Sequence, residues 1–432
     1  MKILVIGNGG REHSLVRTLR RTNAAVRSLQ IFCAPGNDGI ALDAECVPIS
    51  ATDVPALVRF AAQTKIDLTI VGGEAALAAG VVDAFEQHGL LIAGPRKDAA
   101  RLESSKAFAK DFMTRHNVPT ARYRLADSVE QAQKILRSGE FGADDAMVVV
   151  KADGLAAGKG VTVARSREEA EQAAIELLTT SACASAAVSP RIVIEEALTG
   201  REASLLVFAD GLDYRLMPAA RDHKRVGEND TGPNTGGMGA ITAHDILDEE
   251  TLAHVARTIV EPTLAGAQAE GCPFRGVLFV GLMLTSEGAR VLEYNARFGD
   301  PEAQAILIRL QSNLIDIFEA MTRGKLSETS INWSNEASAV VVLTSRGYPL
   351  KPETGARIEG LEEAAQLPSV EILHAGTIRA SNGGWLTAGG RVLNVAARAD
   401  TLESALERCY AAIDKIHWDG MHFRRDIGRF AK

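Results

Sequence analysis

The sequence predicts an α/β protein of several units, with a parallel sheet in the N-terminal one. Three observations carry that reading. Short apolar runs alternate with helix-length segments over residues 2–93, the pattern of strands paired in parallel and covered on both faces. The chain has 432 residues, more than one core ordinarily serves, so about two to four units are expected. Its hydrophobic fraction of 46% and charged fraction of 24% are those of a folded chain.

Taken in order, residues 2–6 form an apolar strand ending in glycine, followed by a helix over Glu12–Arg21. Further strands are expected at Leu29–Cys33, Leu68–Val71 and Leu91–Ala93, with helices at Val54–Gln63 and Ala75–Gln87 between them. Ser104 is placed to cap a helix running through His116, which Pro119 ends. A second unit begins near Ala121, with a helix at Ser128–Leu136, strands at Met147–Lys151 and Val161–Ala164, and a helix at Arg167–Leu178. Thr179–Ser189 is small and polar and reads as a loop; strands resume at Arg191–Glu196 and Ala203–Phe208. Arg221–Gly239 has charge, Gly, Asn and Thr without periodicity, which predicts a long functional loop. A helix over Glu249–Glu270, strands at Val277–Leu284 and Arg290–Tyr294, and helices from Glu302 to Thr322 follow. Gly324–Trp333 reads as a linker. Beyond it a mixed α/β cap has strands near Ala337–Leu343 and Arg391–Ala397 and a helix at Leu402–Ile416.

The net charge is −8, so no overall basic field invites nucleic acid, though a local cationic pocket can still hold phosphate. No apolar run approaches the roughly 20 residues that span a bilayer. The first run is followed by Arg11, Glu12 and His13 instead of a cleavage site, which argues for a strand over a signal peptide. Cys33, Cys46, Cys183, Cys272 and Cys409 are scattered without a Cys-x-x-Cys pair. Single buried thiols in a reducing cytoplasm are therefore expected, with neither disulfides nor zinc.

Five motifs have chemical content. Gly7-Asn8-Gly9-Gly10-Arg11-Glu12-His13 follows a strand and opens a helix, where free backbone N–H groups suit a phosphate or carboxylate. It differs from the dinucleotide fingerprint because Glu12 stands where the third glycine belongs. A tight structural turn fits it too. Lys151-Ala152-Asp153-Gly154-Leu155-Ala156-Ala157-Gly158-Lys159-Gly160 lies between two strands. It fails the P-loop template, since the glycine spacing is short, Gly160 replaces the hydroxyl residue and no helix follows. A hairpin lid over a triphosphate fits better, with small residues that let the backbone close. Ile192–Leu198 is an apolar strand ending in Glu195 and Glu196, which can present backbone groups to an adenine edge, or simply solvated acids. Glu202 is able to accept ribose hydroxyls. In Leu292–Glu302, Glu293 and Asn295 are two apart and share a strand face. Two oxygen ligands suit Mg2+, which takes phosphate oxygens and water for the rest. Arg297 is next on that face, with a fork suited to carboxylate or phosphate. Pro301 is read as the first residue of a helix. The last motif, Arg221-Asp222-His223-Lys224-Arg225, leads into Thr231–Gly239 and suggests an anion-closing loop, or a solvated surface one.

Together these motifs resemble the ATP-grasp superfamily, and within it the phosphoribosylamine–glycine ligase family. The resemblance rests on the ordered set: the Gly7–His13 start, Lys151–Val161, Asp222–Arg225, Thr231–Gly239, Asn295–Glu302, His374–Thr377 and Gly389–Val392. It covers the whole chain. It implies an N-terminal α/β substrate domain at 1–102, an ATP-grasp core at 103–120 and 191–327, a small lid at 121–190 and a C-terminal mixed α/β cap at 328–432. It implies ligation of glycine to 5-phosphoribosylamine with ATP, giving glycinamide ribonucleotide, ADP and phosphate. The cofactors are then ATP and Mg2+ or Mn2+. The partners are small molecules, with neither nucleic acid nor membrane, and the assembly is a monomer or weak homodimer in the cytoplasm.

The family's site residues carry over by motif position. Lys106 and Lys151 would meet ATP phosphates, with Gly154, Gly158, Lys159 and Gly160 in the lid. Glu195, Glu196 and Leu198 would meet adenine, Glu202 the ribose, and Glu293 and Asn295 the metal. Arg297, Asp222 and Lys224 would serve catalysis. The substrate side would take Gly9, Gly10, Arg11, Glu12, His13, Gly36, Asn37, Glu74, Gly236, Gly237, Gly299, Asp300 and Pro301. Two departures stand out. Gly73 and Ala76 replace prolines usual beside Glu74, which predicts a looser loop there. Ala143-Asp144-Asp145 is an added lid loop. The alternatives are another ATP-grasp carboxylate–amine ligase, a catalytically silent nucleotide-binding regulator, and a nicotinamide-dependent oxidoreductase using the first glycine turn.

Overall fold

The computed structural model describes residues 1–23, 28–155, 160–179 and 190–430. Its first part runs β1 (Lys2–Gly7), α1 (Gly10–Thr22), β2 (Gln30–Pro35), β3 (Glu45–Cys46), α2 (Val54–Thr64), β4 (Leu68–Val71), α3 (Glu74–Ala78), α4 (Val81–Gln87) and β5 (Ile92–Ala93). The strands pair in parallel in the order β3-β2-β1-β4-β5. Ile3 and Val5 pack into one apolar cluster and Leu4 and Ile6 into another. Both faces of β1 are thus covered, which is why it reads as an unbroken apolar run. The strand order reverses at β1, so a crevice opens beyond the strands' C-terminal ends, where the Gly9 turn lies. The helix expected over Ala75–Gln87 is two helices, because Gly80 adopts φ +83° between them.

Next come α5 (Arg101–Ser104) and α6 (Lys106–Arg115). The cap of α6 is Ser105, whose Oγ accepts from Phe108 N–H at 3.1 Å, and not Ser104, which ends α5. The helix stops at Arg115, before Pro119.

A small antiparallel sheet follows, made of β6 (Tyr123–Ala126), α7 (Val129–Leu136), β7 (Val148–Ala152), β8 (Val161–Ala164), α8 (Arg167–Thr179) and β9 (Ile192–Glu196). Its order is β6-β9-β7-β8. Val148, Val150, Ile192 and Ile194 pack beneath α7 and α8. Strand alternation then turns Val149, Lys151 and Glu195 to the other face. Arg167 Nη2 donates to the carbonyls of Gly142 and Ala143 at 3.2 and 3.1 Å, which ties the added 143–145 loop to α8. Gly158, Lys159, Cys183 and the loop expected through Ser189 (180–189) lie outside the described residues.

The larger antiparallel sheet has β10 (Arg201–Asp210) and β11 (Tyr214–Leu216). Arg221–Gly239, expected as an irregular loop, is instead β12 (Arg221–Asp222), β13 (Arg225–Gly227) and β14 (Thr231–Asn234), leading to β15 (Gly239–Thr242). Gly, Asn and Thr give no strand signal; the order comes from pairing, β12 with β15 and β13 with β14. The helical run is α9 (Glu249–Val255), a π-turn (Ala256–Val260) and α10 (Glu261–Ala269). Then come β16 (Arg275–Thr285), β17 (Gly288–Asn295), α11 (Glu302–Leu307) and α12 (Leu314–Thr322). The sheet order is β11-β10-β16-β17. Pro301 precedes α11 as its cap residue, with φ −104°, and is not its first residue as expected.

The C-terminal part has β18 (Ala337–Thr344), β19 (Arg357–Ile358), α13 (Leu361–Ala365), β20 (Val370–His374), β21 (Thr377–Arg379), β22 (Trp385–Thr387), β23 (Arg391–Ala399) and α14 (Leu402–Ile413). One five-stranded sheet, β12-β15-β18-β23-β20, joins it to the preceding part. Among the described residues no helix is long and apolar enough to cross a membrane. Cys33 and Cys409 are buried free thiols, and Cys46 and Cys272 are half-buried ones.

A buried histidine pair locks the N-terminal sheet to this last part. His13 Nε2 lies 3.1 Å from Asp43 Oδ2, and His13 Nδ1 accepts from His374 N–H at 2.8 Å. Burial lowers the pKa of His13, and burial beside His13 and Arg17 pushes His374 down to about 3. In the unfolded chain both titrate near ~6.5. Below that pH the unfolded state binds protons that the folded state refuses, so stability falls with pH. The thermal midpoint should be independent of these two rings above about pH 7. It should drop as pH goes from about 6.5 to about 5, more steeply than in His374→Gln. Equal slopes in melts of the two proteins would remove the histidine pair as the cause.

Candidate active site

A cleft of about 760 Å3 opens between the small sheet and the β10–β17 sheet. At one end it is apolar. Met147, Val149, Val161 and Val163 line it from the small sheet, and Met113 and Leu292 from below. Met147 and Val163 are 45% and 39% exposed there, so this end is an open apolar slot. Leu198 and Glu196 also line this end, Glu196 accepting from the backbone and side chain of Arg122 at 2.9 and 2.7 Å.

Farther in, the cleft is cationic. Lys106 on α6 donates to Gly154 O at 2.8 Å, and Asp153 accepts from Ser105 Oγ and Ala107 N, both at 3.2 Å. The turn after β7 is thereby docked on the start of α6. Lys151 donates to Leu292 O at 3.1 Å and pairs with Glu195, which also pairs with Lys110. Burial alone would raise the Glu195 pKa, but Lys151 and Lys110 hold it below the usual carboxylate range. Burial, opposed by Glu195, brings Lys110 down to about 8. The carboxylate of Glu195 is therefore turned to two lysines. Lys110 was not anticipated. Its signal was present, because it stands one helical turn after Lys106.

Strand β17 presents Glu293 and Asn295 to the cleft. A bulge opposite Gly281–Leu282 inserts Leu292 just before them, and such bulges re-aim the residues that follow. Burial would raise the Glu293 pKa, but Lys224, Lys151, Lys106 and Arg297 outweigh it and keep the carboxylate ionised. Among the described residues no group of three or more His, Cys, Asp or Glu forms a metal cage. An ionised carboxylate and an amide oxygen facing a triphosphate-sized cleft fit a hard cation that draws its other ligands from phosphate and water.

Beside them Lys224 donates to Glu202 at 2.9 Å. Asp222 and Glu302 also line the cleft, Glu302 lying 3.4 Å from Ser204 Oγ. Burial raises both carboxyl pKa values, and each is raised further by neighbouring carboxylates. Glu302 was quoted in a motif but given no role in the sequence reading.

The far end holds three arginines. Arg297 pairs with Glu74 at 3.2 Å and with Glu103 at 2.9 Å. Arg11 pairs with Glu12 at 2.8 Å and donates to Phe298 O at 3.0 Å. Arg391 holds Asp300 at 2.8 Å and donates to Gly236 O at 2.5 Å. Glu103 and Arg391 were not assigned from sequence. The Glu74 loop forms α3 without its prolines, and Gly73 passes Arg11 closely, an added Cβ meeting Nη2 at 3.3 Å.

Several expected substrate residues lie behind this end and do not line the cleft. Glu12 bends back to accept from Gly9 N–H at 2.6 Å, so the first turn's anion site is filled by the chain's own carboxylate. Glu12 fits because Gly7 and Gly72 leave room; an added Cβ would meet it at 2.5 and 2.2 Å. His13 is wholly buried in the pair described above. Gly10 abuts Asn394, and Gly237 abuts Pro301. Gly36 abuts Cys46, and Asn37 bonds Asn8 O at 2.8 Å and Ala375 O at 3.2 Å. Of these, His13, Gly10 and Asn37 join the first part of the chain to the last. Gly299 and Asp300 do line the cleft, as do Gly154 and Gly160.

Removing the shared carboxylate tests the lysine arrangement. Glu195→Gln should destabilise the protein by about 3–5 kcal/mol, because two buried ammonium groups lose their counter-charge. Denaturant unfolding measures it, and a loss under about 1 kcal/mol would contradict a buried pair.

Comparison with known proteins bears on this site. Three family descriptions match in order: phosphoribosylglycinamide synthetase N domain at residues 1–103, ATP-grasp (A) domain at 104–303 and C domain at 338–430. A phosphoribosylamine–glycine ligase of Mesorhizobium japonicum is 45% identical over 99% of this chain and 98% of that protein. One of Salmonella typhimurium is 48% identical over the same shares. A crystal structure of phosphoribosylamine–glycine ligase from Thermotoga maritima superposes with a TM-score of 0.83 at 30% identity, covering 99% of this chain and 100% of that one.

Proposed function

The chain belongs to the phosphoribosylglycinamide synthetase family, and on that premise we infer how its cleft works. The enzyme is an ATP-dependent carbon–nitrogen ligase of purine biosynthesis. It joins glycine to 5-phosphoribosylamine, giving glycinamide ribonucleotide, ADP and phosphate. One observation carries the site reading: the Glu293–Asn295 pair faces the lysines Lys106, Lys151 and Lys224 across a single cleft.

A carboxylate is a poor acylating agent, since oxide would have to leave. Transfer of the γ-phosphoryl group to a glycine oxygen gives glycyl phosphate, from which phosphate leaves readily. The amine nitrogen of phosphoribosylamine then attacks the glycyl carbonyl carbon. The C–N bond forms, the C–O bond to phosphate breaks, and the nitrogen loses a proton. Asp222, with Glu302 beside it, is the carboxylate we assign to take that proton.

In this reading the apolar slot by Met147 and Val163 holds adenine, with Glu196 and Leu198 at its edge and Glu202 at the ribose. Lys106, Lys151 and Lys224 neutralise phosphate charge as it shifts. Glu293 and Asn295 would hold Mg2+ or Mn2+, which would screen the phosphates and orient them. Arg297, Arg11 and Arg391, with Glu74 and Asp300, form the acceptor side. Gly154 and Gly160 close the phosphate end and keep water from the acyl phosphate. The free thiols of the four described cysteines agree with a cytoplasmic setting.

The test is ADP release from the purified protein with ATP, Mg2+ and glycine, with and without phosphoribosylamine. Release should need both acceptors, and product mass should be that of glycinamide ribonucleotide. Glu293→Ala should lower kcat by about a thousandfold or more while its far-ultraviolet circular dichroism stays unchanged. Near-normal turnover in that variant would end the metal assignment.

A further inference from the structure

We propose that residues 424–430 act as a strap against the catalytic strand, and that Phe430 is a positioning residue for Asp222 and Lys224. The inference rests on the catalytic roles assigned above to those two residues. It starts from strand alternation. Beyond β12 the backbone stays extended, with His223 N–H bonded to Gly239 O at 2.9 Å and Met238 N–H to His223 O at 2.8 Å. Arg221 and His223 therefore share one side, and Asp222 and Lys224 the other. Asp222 and Lys224 line the cleft, Arg221 and Phe430 reach its edge, and His223 stays out of it.

The side of Arg221 and His223 is covered by Phe430. Its ring stacks on His223, with centroids 4.2 Å apart and planes 12° from parallel. The Arg221 guanidinium carbon lies 3.4 Å from the same ring's centroid. Among the described residues Arg221 makes no side-chain ion pair, so this ring is its main partner. A cation over an aromatic face is attracted by the ring's electron-rich face. Gly428 N–H donates to His223 Nε2 at 2.9 Å, which fixes the imidazole from the same segment.

The segment is anchored against the hairpin of β13 and β14. Arg424 is fully buried. It donates to Asp426 through two nitrogens at 2.8 Å, to Asp230 at 2.8 Å and to Arg225 O at 3.0 Å. Asp426 in turn accepts from Asn229 N–H at 2.8 Å, and Glu228 accepts from Arg425 N–H at 3.0 Å. Ile427 packs against Gly239. The strand that presents Asp222 has only two ladder positions on β15. The Ala220–Ser204 bridge and the His223 bonds extend its backbone pairing, and the strap packs the side chains of Arg221 and His223.

The experiment measures ADP release from the full chain carrying Phe430→Ala, Phe430→Tyr or Asp426→Asn, the last loosening the segment without touching the cleft. Phe430→Ala and Asp426→Asn should each lower kcat by about tenfold, with KM for ATP within about twofold of the parent. Phe430→Tyr should restore most of the rate. In an Asp222→Asn background, Phe430→Ala should cost less than about twofold more, since it acts through a group already lost. Amide exchange followed on the same proteins should be about tenfold faster at residues 222–227 in Phe430→Ala and unchanged in β16 and β17. Exchange needs no substrate, so a parent that releases no ADP with glycine and phosphoribosylamine sinks the ligase reading alone. Unchanged exchange at 222–227 overturns the strap. So does an unchanged kcat, or a full loss that persists in the Asp222→Asn background.

Discussion

A site for a triphosphate must gather positive charge before its ligand arrives, and like charges placed together in a protein interior are costly. This chain meets that constraint by giving its cations carboxylates of their own. Glu195 serves Lys110 and Lys151, Glu202 serves Lys224, and Glu74 and Glu103 serve Arg297. Asp300 serves Arg391 and Glu12 serves Arg11. The cleft is thus nearly balanced without ligand. An entering anion changes which partner each cation faces, and no cation is left bare. That is why so many acids stand beside a site for anions, and why a count of charges in the sequence does not reveal it.

The balance depends on sheets that sort side chains by alternation. In β7 and β9 every second residue enters the small sheet's own core, which sends Lys151 and Glu195 to the cleft side. In β17 the bulge at Leu292 sets which face Glu293 and Asn295 share. Each charged residue is held by a strand whose other face is packed, and packing fixes its position. The same rule sets Asp222 and Lys224 opposite Arg221 and His223.

Local signals were legible; distant partners were not. Leu68–Val71 and Val161–Ala164 read correctly because their apolar runs declare themselves. The shared face of Glu293 and Asn295 followed from period two alone. Arg221–Gly239 failed as a loop because β12 pairs with β15 and β13 with β14, and polar small residues carry no periodic mark of that. His13 looked like a ligand residue by motif position. Its partner, His374, is 361 residues away, and nothing near His13 announces a buried pair. The Gly9 turn looked like an anion site for the same reason, since the missing third glycine is Glu12, which becomes the anion.

The environments of the acids then divide the labour among them. Glu293 is buried among Lys224, Lys151, Lys106 and Arg297, which keep it charged, as a ligand for a divalent cation must be. Burial raises the pKa values of Asp222 and Glu302 toward the range where a proton is exchanged near neutrality, with neighbouring carboxylates adding to it and Lys224 opposing it. Exchanging the roles would fail on both sides. A carboxyl that prefers its proton is a poor metal ligand, and one held ionised by four cations is a poor base. In the proposed roles, carboxylates in one cleft become ligand and proton acceptor through their neighbours, which is the means by which a single residue type can serve opposed tasks.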